Sequence, residues 1–209
     1  MKDMQSIMQT SPVIPVVTVD DVEVAVANAK DLHAGGLGVI EVVWRTAEAV
    51  DALRAIKAAV PDLCVGMGTV WTQAQAREAI AAGAEFIVSP GIADAAGAAC
   101  RELDVPHLSG AQTVSEIAHL IEQGYTASKL FPADVLGGPK AIKAFATVFP
   151  QLLFCPTGGI SEQTAGDYLA LPSVACVGGS WLTRDTSTTA EGMSSVRVAA
   201  QRAAALTGA

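Results

Sequence analysis

Eight short apolar runs, separated by seven longer stretches with apolar residues at helical spacing, constrain the fold of this chain most. The runs are Val13–Val19, Val39–Val43, Leu63–Val65, Phe86–Val88, Val105–Leu108, Ser128–Phe131, Leu152–Cys155 and Val174–Val177. Between them lie Val22–Ala34, Ala47–Ala59, Thr72–Ala82, Ile92–Leu103, Val114–Gln123, Pro139–Phe149 and Glu162–Leu169. Near-continuous apolar strands alternating with helices imply a parallel sheet covered on both faces. Eight such units predict an α/β chain folded as a (β/α)8 TIM barrel, one domain over residues 1–209. An Ala-rich tail, Thr186–Thr207, is the candidate eighth helix. A doubly wound open sheet is the second choice. The first strand–helix junction, Val19-Asp-Asp-Val, lacks Gly-x-Gly-x-x-Gly and so argues against a dinucleotide fold.

Capping residues support the helices. Asp20 with Glu23, and Thr113 with Glu116, have capping-box spacing, and Ser161 precedes the seventh helix. Gly35-Gly36 and Gly83 close the first and third.

The 209 residues, 51% hydrophobic, suffice for one sizeable core. The formal net charge is −8, and no Lys/Arg cluster appears, which disfavours nucleic acid as a partner. An acidic chain that binds an anionic metabolite must do so locally, with backbone amides and one or two placed cations. Cys64, Cys100, Cys155 and Cys176 form no C-x-x-C pair, and His33, His107 and His119 are scattered, so no metal spacing exists. No basic flank precedes an apolar core at the N-terminus, and no apolar run approaches about 18 residues. These features point to a soluble, reduced, cytoplasmic protein with no membrane partner.

Chemistry in a barrel sits where strands end. The run Tyr125-Thr-Ala-Ser-Lys129-Leu-Phe-Pro-Ala133 reads as a short buried strand with an ammonium at its end. Apolar surroundings disfavour a charged lysine, and a neutral amine attacks carbonyl carbon to form Schiff bases. The bland alternative is a lysine whose stem packs while its head reaches water. Phe131 faces the same side two residues on. In Glu41-Val-Val-Trp-Arg45-Thr46, alternation puts Glu41, Val43 and Arg45 on one face. Glu41 could shuttle a proton and Arg45 could fork onto a carboxylate; a structural Glu41–Arg45 ion pair weighs equally. Gly66-Met-Gly68-Thr69 is a weak ligand-approach signal, and Ser89-Pro90-Gly91 reads first as a turn. Pro156-Thr157-Gly158-Gly159-Ile160-Ser161, opening a helix, and Gly178-Gly179-Ser180 match the phosphate cradle that barrels build after strands seven and eight.

In order and spacing, these motifs together resemble the bacterial 2-keto-3-deoxy-6-phosphogluconate (KDPG) and 4-hydroxy-2-oxoglutarate (KHG) aldolases, from about Pro12 to Leu182. The resemblance implies a class I aldolase, a homotrimer needing no metal and no cofactor. Lys129 matches the Schiff-base lysine and Glu41 the general acid/base. Arg45 and Thr69 match residues that hold the pyruvate carboxylate, and Pro90 and Phe131 match pocket walls. Thr157, Gly158, Gly159, Gly179 and Ser180 match the phosphate end. The implied reaction is cleavage of KDPG to pyruvate and glyceraldehyde 3-phosphate. The alternatives are KHG cleavage, oxaloacetate decarboxylation, cleavage of the 6-phosphogalactonate epimer, or a non-catalytic phosphosugar-binding barrel. Trp44, Met67 and Ser109 depart from the family pattern, where a smaller aliphatic, Ala and Pro are usual. Alternation puts Trp44 opposite Glu41 and Arg45, so packing is its simplest role.

Overall fold

The computed structural model describes residues 3–188 and 192–206. It is an α/β fold of parallel strands. In chain order these are β1 (Val13–Val17), β2 (Val39–Val43), β3 (Cys64–Gly68), β4 (Phe86–Val88), β5 (His107–Leu108), β6 (Ala127–Leu130), β7 (Leu153–Pro156) and β8 (Val177–Gly179). Helices α2 (Val22–Ala34), α3 (Ala49–Ala59), α4 (Gln73–Ala81), α5 (Asp94–Glu102), α6 (Val114–Glu122), α7 (Gly138–Val148) and α8 (Ala165–Leu169) connect them; α1 (Met4–Met8) precedes the first strand and α9 (Ser195–Ala204) follows the last.

Six strands pair in the order β5-β4-β3-β2-β1-β8, and β6 pairs with β7. Single bridges join the two sheets. The Lys129 N–H donates to Ser109 and the Ala111 N–H to Lys129, at 3.0 and 2.9 Å. On the other side Thr157 stands against Gly178 and Phe154 against Val174. The register sets Glu41 beside Gly66 and Lys129 beside Cys155.

Strand alternation sorts the buried side chains into two layers. Ile40, Val42, Val65, Met67, Ile87 and Leu130 pack against Leu32, Leu53, Ile56, Ile117 and Ile142 of the helices. The fully buried Met67 and the half-buried Trp44 belong to this outer layer, so both departures are packing residues here. Ile14, Val39, Cys64, Phe86, Val88, Leu108, Ala127, Cys155 and Cys176 form the inner layer, together with Met4, Ile7 and Met8 of α1. Gln5 of α1 donates to the Thr126 carbonyl just before β6, which places the helix at the end where strands begin.

Four sequence expectations need correction. Asp21, not Asp20, caps α2: its Oδ1 accepts from the Val24 N–H at 2.9 Å. The seventh predicted helix begins at Ala165 rather than Glu162, because the Ser161 N–H donates to Thr164 Oγ1 at 3.0 Å and that side-chain turn competes with the helix. The eighth strand is Val177–Gly179 rather than Val174–Val177, fixed by its pairing of Val177 with Val13 and Gly179 with Pro15. The tail helix is shorter than Thr186–Thr207: it spans Ser195–Ala204 and docks on α2 through Arg197–Asp31 at 2.9 Å; part of the predicted span lies outside the described residues.

Candidate active site

Lys129 ends one residue short of the close of β6, and Glu41 stands at the centre of β2. Both face the inner layer, and the two meet across it. Lys129 Nζ lies 3.0 Å from Glu41 Oε1 and 3.2 Å from Oε2, with each side chain 5% exposed. The bland lysine is thereby excluded: its head group does not reach water. The alternative Glu41–Arg45 ion pair does not form either. β2 stops at Val43, the Arg45 N–H turns back onto the Val43 carbonyl at 2.9 Å, and Arg45 stands exposed at the rim. Among the described residues Arg45 makes no ion pair, which leaves its five donors for a ligand.

Gly68 creates the space for this pair. A Cβ built there would fall 2.0 Å from Glu41 Oε1. Gly66 likewise clears the Phe86 ring, so these two glycines serve inner-layer packing where the sequence suggested ligand approach. Thr69 follows directly and is held at φ +65, a rare conformation for a β-branched residue that costs on the order of 1–3 kcal/mol.

Phe131, after the end of β6, links two parts of the site. Its ring centroid is 5.8 Å from Lys129 Nζ, and a Cβ on Gly158 would touch the same ring at 3.1 Å. The Phe131–Pro132 peptide is cis. Pro90 is half-buried at the end of β4, its backbone pressed onto Gly110. Beyond Phe131 the Gly158-Gly159 turn has φ of +96 and +75, which glycine adopts at least cost. The N–H groups of Gly159 and Ser180 donate to no other group among the described residues. Thr157 is buried, its hydroxyl donating weakly to the Cys155 carbonyl at 3.4 Å and resting on Gly178. Gly179 belongs to β8 itself and makes room for the Trp181 ring. α8 starts only at Ala165 and is five residues long, so Thr157–Ser161 are followed by a turn before the helix begins. One cation escaped the sequence reading: Arg184, whose Nη2 donates to Ser180 Oγ at 3.4 Å.

All four cysteines are buried thiols. Cys176 shares the inner layer with Cys155, and its hydrogen bond to that sulfur, with burial, pushes the Cys176 thiol well up. Among the described residues no His/Cys/Asp/Glu cluster suits a metal ion, and no helix is long and apolar enough to cross a membrane.

A parallel α/β fold whose inner layer holds a buried lysine–carboxylate pair is the arrangement suited to an enzyme of carbonyl chemistry. Residues 4–198 match the family model described as KDPG and KHG aldolase. The chain is 49% identical over 178 residues to the KHG/KDPG aldolase of Escherichia coli K12, covering 85% of this chain and 84% of that protein. It superposes with a TM-score of 0.91 on the KDPG aldolase of Zymomonas mobilis ZM4 with 3-phosphoglycerate, at 38% identity over 100% of this chain and 98% of that one. The KDPG aldolase of Legionella pneumophila, with pyruvate captured at low pH as a covalent carbinolamine, gives 0.90 and 38% over 96% and 98%. The chain belongs to the KDPG and KHG aldolase family.

Proposed function

We propose that this chain is a class I aldolase that cleaves 2-keto-3-deoxy-6-phosphogluconate to pyruvate and glyceraldehyde 3-phosphate through a Schiff base on Lys129. The observation that carries the reading is the buried contact of Lys129 Nζ with both Glu41 oxygens. Proton transfer from the ammonium to Glu41 frees the amine lone pair. The amine adds to the C2 ketone, and loss of water gives a protonated imine. Glu41, deprotonated again, takes the C4 hydroxyl proton, directly or through a water. The C3–C4 bond then breaks, its electron pair passing into the iminium as an enamine while glyceraldehyde 3-phosphate leaves. Protonation at C3 and hydrolysis of the imine release pyruvate and restore the lysine.

The remaining residues divide by position. Arg45 and Thr69, at the ends of β2 and β3, hold the substrate carboxylate; Pro90 and Phe131 wall the pocket. Thr157, Gly158, Gly159, Gly179 and Ser180 form the phosphate end, supported by the open N–H groups of Gly159 and Ser180 and by their place beyond Phe131. The bridges from β5 to β6 and from β7 to β8 support one closed eight-stranded barrel as the frame, a single domain over the chain. The homotrimer and the cytoplasm are carried by the family resemblance. KHG cleavage would use the same enamine, and the phosphate end favours the phosphorylated substrate.

Incubation with pyruvate, borohydride reduction and peptide mass spectrometry test the reading. A stable adduct on Lys129 that needs pyruvate, and is lost in Lys129→Ala, is expected. An adduct on another lysine, or none, overturns it.

A further inference from the structure

Away from the Lys129–Glu41 pair, the most continuous buried polar arrangement is a row of side chains crossing β4 and β5 toward the start of β6. Ser89 Oγ donates to the Val70 carbonyl at 2.6 Å. His107 Nε2 lies 2.8 Å from Ser89 Oγ, and His107 Nδ1 lies 2.7 Å from Tyr125 Oη. The Ser89 proton is committed to Val70, so Nε2 must carry a hydrogen and donate to Ser89. Nδ1 is then the acceptor, and Tyr125 donates to it. Every hydrogen points the same way, from Tyr125 to the Val70 carbonyl, and bonds aligned in this manner polarise one another. Gly97 on α5 leaves the room: a Cβ there would fall 2.5 Å from Tyr125 Oη and 3.1 Å from His107 Nδ1.

The row ends on the residue after Thr69. Val70 is held at both backbone groups, its N–H on the Val88 carbonyl at 3.2 Å and its carbonyl on Ser89. Thr69, immediately before it, keeps a left-handed φ that threonine leaves unless its neighbours hold it. The other end of the row opens on a cavity of about 530 Å3 beside Arg101, Asp104 and Gln123, where strands begin rather than end. The row therefore spans the molecule from the far face to the rim of the reaction centre.

We infer that Ser89, His107 and Tyr125 are positioning residues for the carboxylate subsite: they anchor Val70 so that Thr69 keeps its left-handed conformation and offers its hydroxyl to the substrate carboxylate. The inference rests on the role proposed above for Thr69. It touches no reacting atom, so it predicts a loss of uniform binding, seen as a raised KM at nearly constant kcat.

The test is a double-mutant cycle of Thr69→Ala and His107→Leu, read by the pyruvate concentration that gives half-maximal borohydride trapping and by KM and kcat for cleavage. Loss of one well-placed hydrogen bond to the charged carboxylate corresponds to a rise of about ten-fold or more in both half-saturation values for each single variant, with kcat within about two-fold. In the Thr69→Ala background, His107→Leu should add less than about two-fold, because the group it positions is already gone. Should His107→Leu not fold, Tyr125→Phe, which removes only the outer link, carries the same comparison with a smaller shift. Independent, multiplying effects of the two sites would overturn the positioning role and leave Thr69 as a binding residue. Unchanged half-saturation in His107→Leu would do the same. Unchanged half-saturation in Thr69→Ala would remove both the subsite assignment and the inference built on it.

Discussion

Glu41 and Lys129 form a pair whose partners are 88 residues apart and meet only because β2 and β6 face each other across the inner layer. Burying two charges is costly unless they satisfy each other, and here one ammonium spans both carboxylate oxygens. Glu41→Gln keeps the size and a hydrogen-bond acceptor but removes the base. Its kcat for cleavage should fall by about 10²–10⁴, while pyruvate-dependent trapping at Lys129 still occurs, more slowly. Stopped assays of product formation beside trapping time courses separate the two; an undiminished kcat would remove Glu41 from the proton transfer. Much at this scale was legible in the sequence. A lysine at the end of an apolar strand, and a glutamate flanked by Ile40 and Val42, are costly placements that advertise a reason. Their mutual contact was not legible, since alternation assigns a face but not a partner on another strand. It left Arg45, four residues away on the same face, as an equally weighted candidate, because nothing in the sequence marks the turn that ends β2 at Val43. The Ser89–His107–Tyr125 row was missed for the same cause: its members are 18 residues apart in each step and belong to different elements. The only local hint was a histidine and a tyrosine at the edges of apolar runs.

Among elements, the strand–helix alternation was readable because seven of the helices are long enough to show a periodic apolar face. α1 was not, since five residues make barely more than one turn and no period can be read from them. Yet α1 carries real packing weight: Ile7 and Met8 are 1% and 0% exposed and cover the inner layer where strands begin. Ile7→Ala should therefore cost about 2–5 kcal/mol in urea unfolding, the range for a large aliphatic removed from a packed core. Because α1 lies at the end opposite Lys129, kcat should stay near wild type at temperatures where the variant is folded. Gly166→Ala is the matching control: it sits in α8, a Cβ there meets nothing within 4 Å, and it should be neutral or stabilise slightly. A loss below about 1 kcal/mol for Ile7→Ala would mean that the inner layer closes without α1. The misplaced β8 has a physical reason too. Val174–Val177 is the more apolar stretch, but hydrogen bonding to β1 selects Val177–Gly179, and two glycines are accepted in that strand because Thr157 and Trp181 occupy the space their side chains would need.

For the whole molecule, pH acts through two opposed contributions. The net charge of −8 at neutral pH falls in magnitude as acid is added, and the self-repulsion of an acidic chain eases. His107 works the other way. Burial, aided by the charge of Arg101, holds its ring neutral and pushes its pKa down from 6.5 to about 4, against a smaller opposite pull from Asp94. The sign follows from linkage. Below about pH 6.5 the unfolded chain takes up a proton that the folded ring refuses until about pH 4, so folded-state stability is present above that window and is lost as pH falls through it. The loss between pH 7 and pH 5 is about 2 kcal/mol, larger than the change expected from surface charges whose interactions are screened at ordinary salt. Urea unfolding of wild type and His107→Leu at pH 7 and pH 5 separates the two contributions. Wild type should lose the larger amount, and the variant, lacking the ring, should show a flat or slightly opposite trend while starting from a lower stability at pH 7. Parallel trends in the two proteins would mean that the Ser89–His107–Tyr125 row accepts a charged ring, and that its hydrogen bonds do not run in one direction from Tyr125 to Val70.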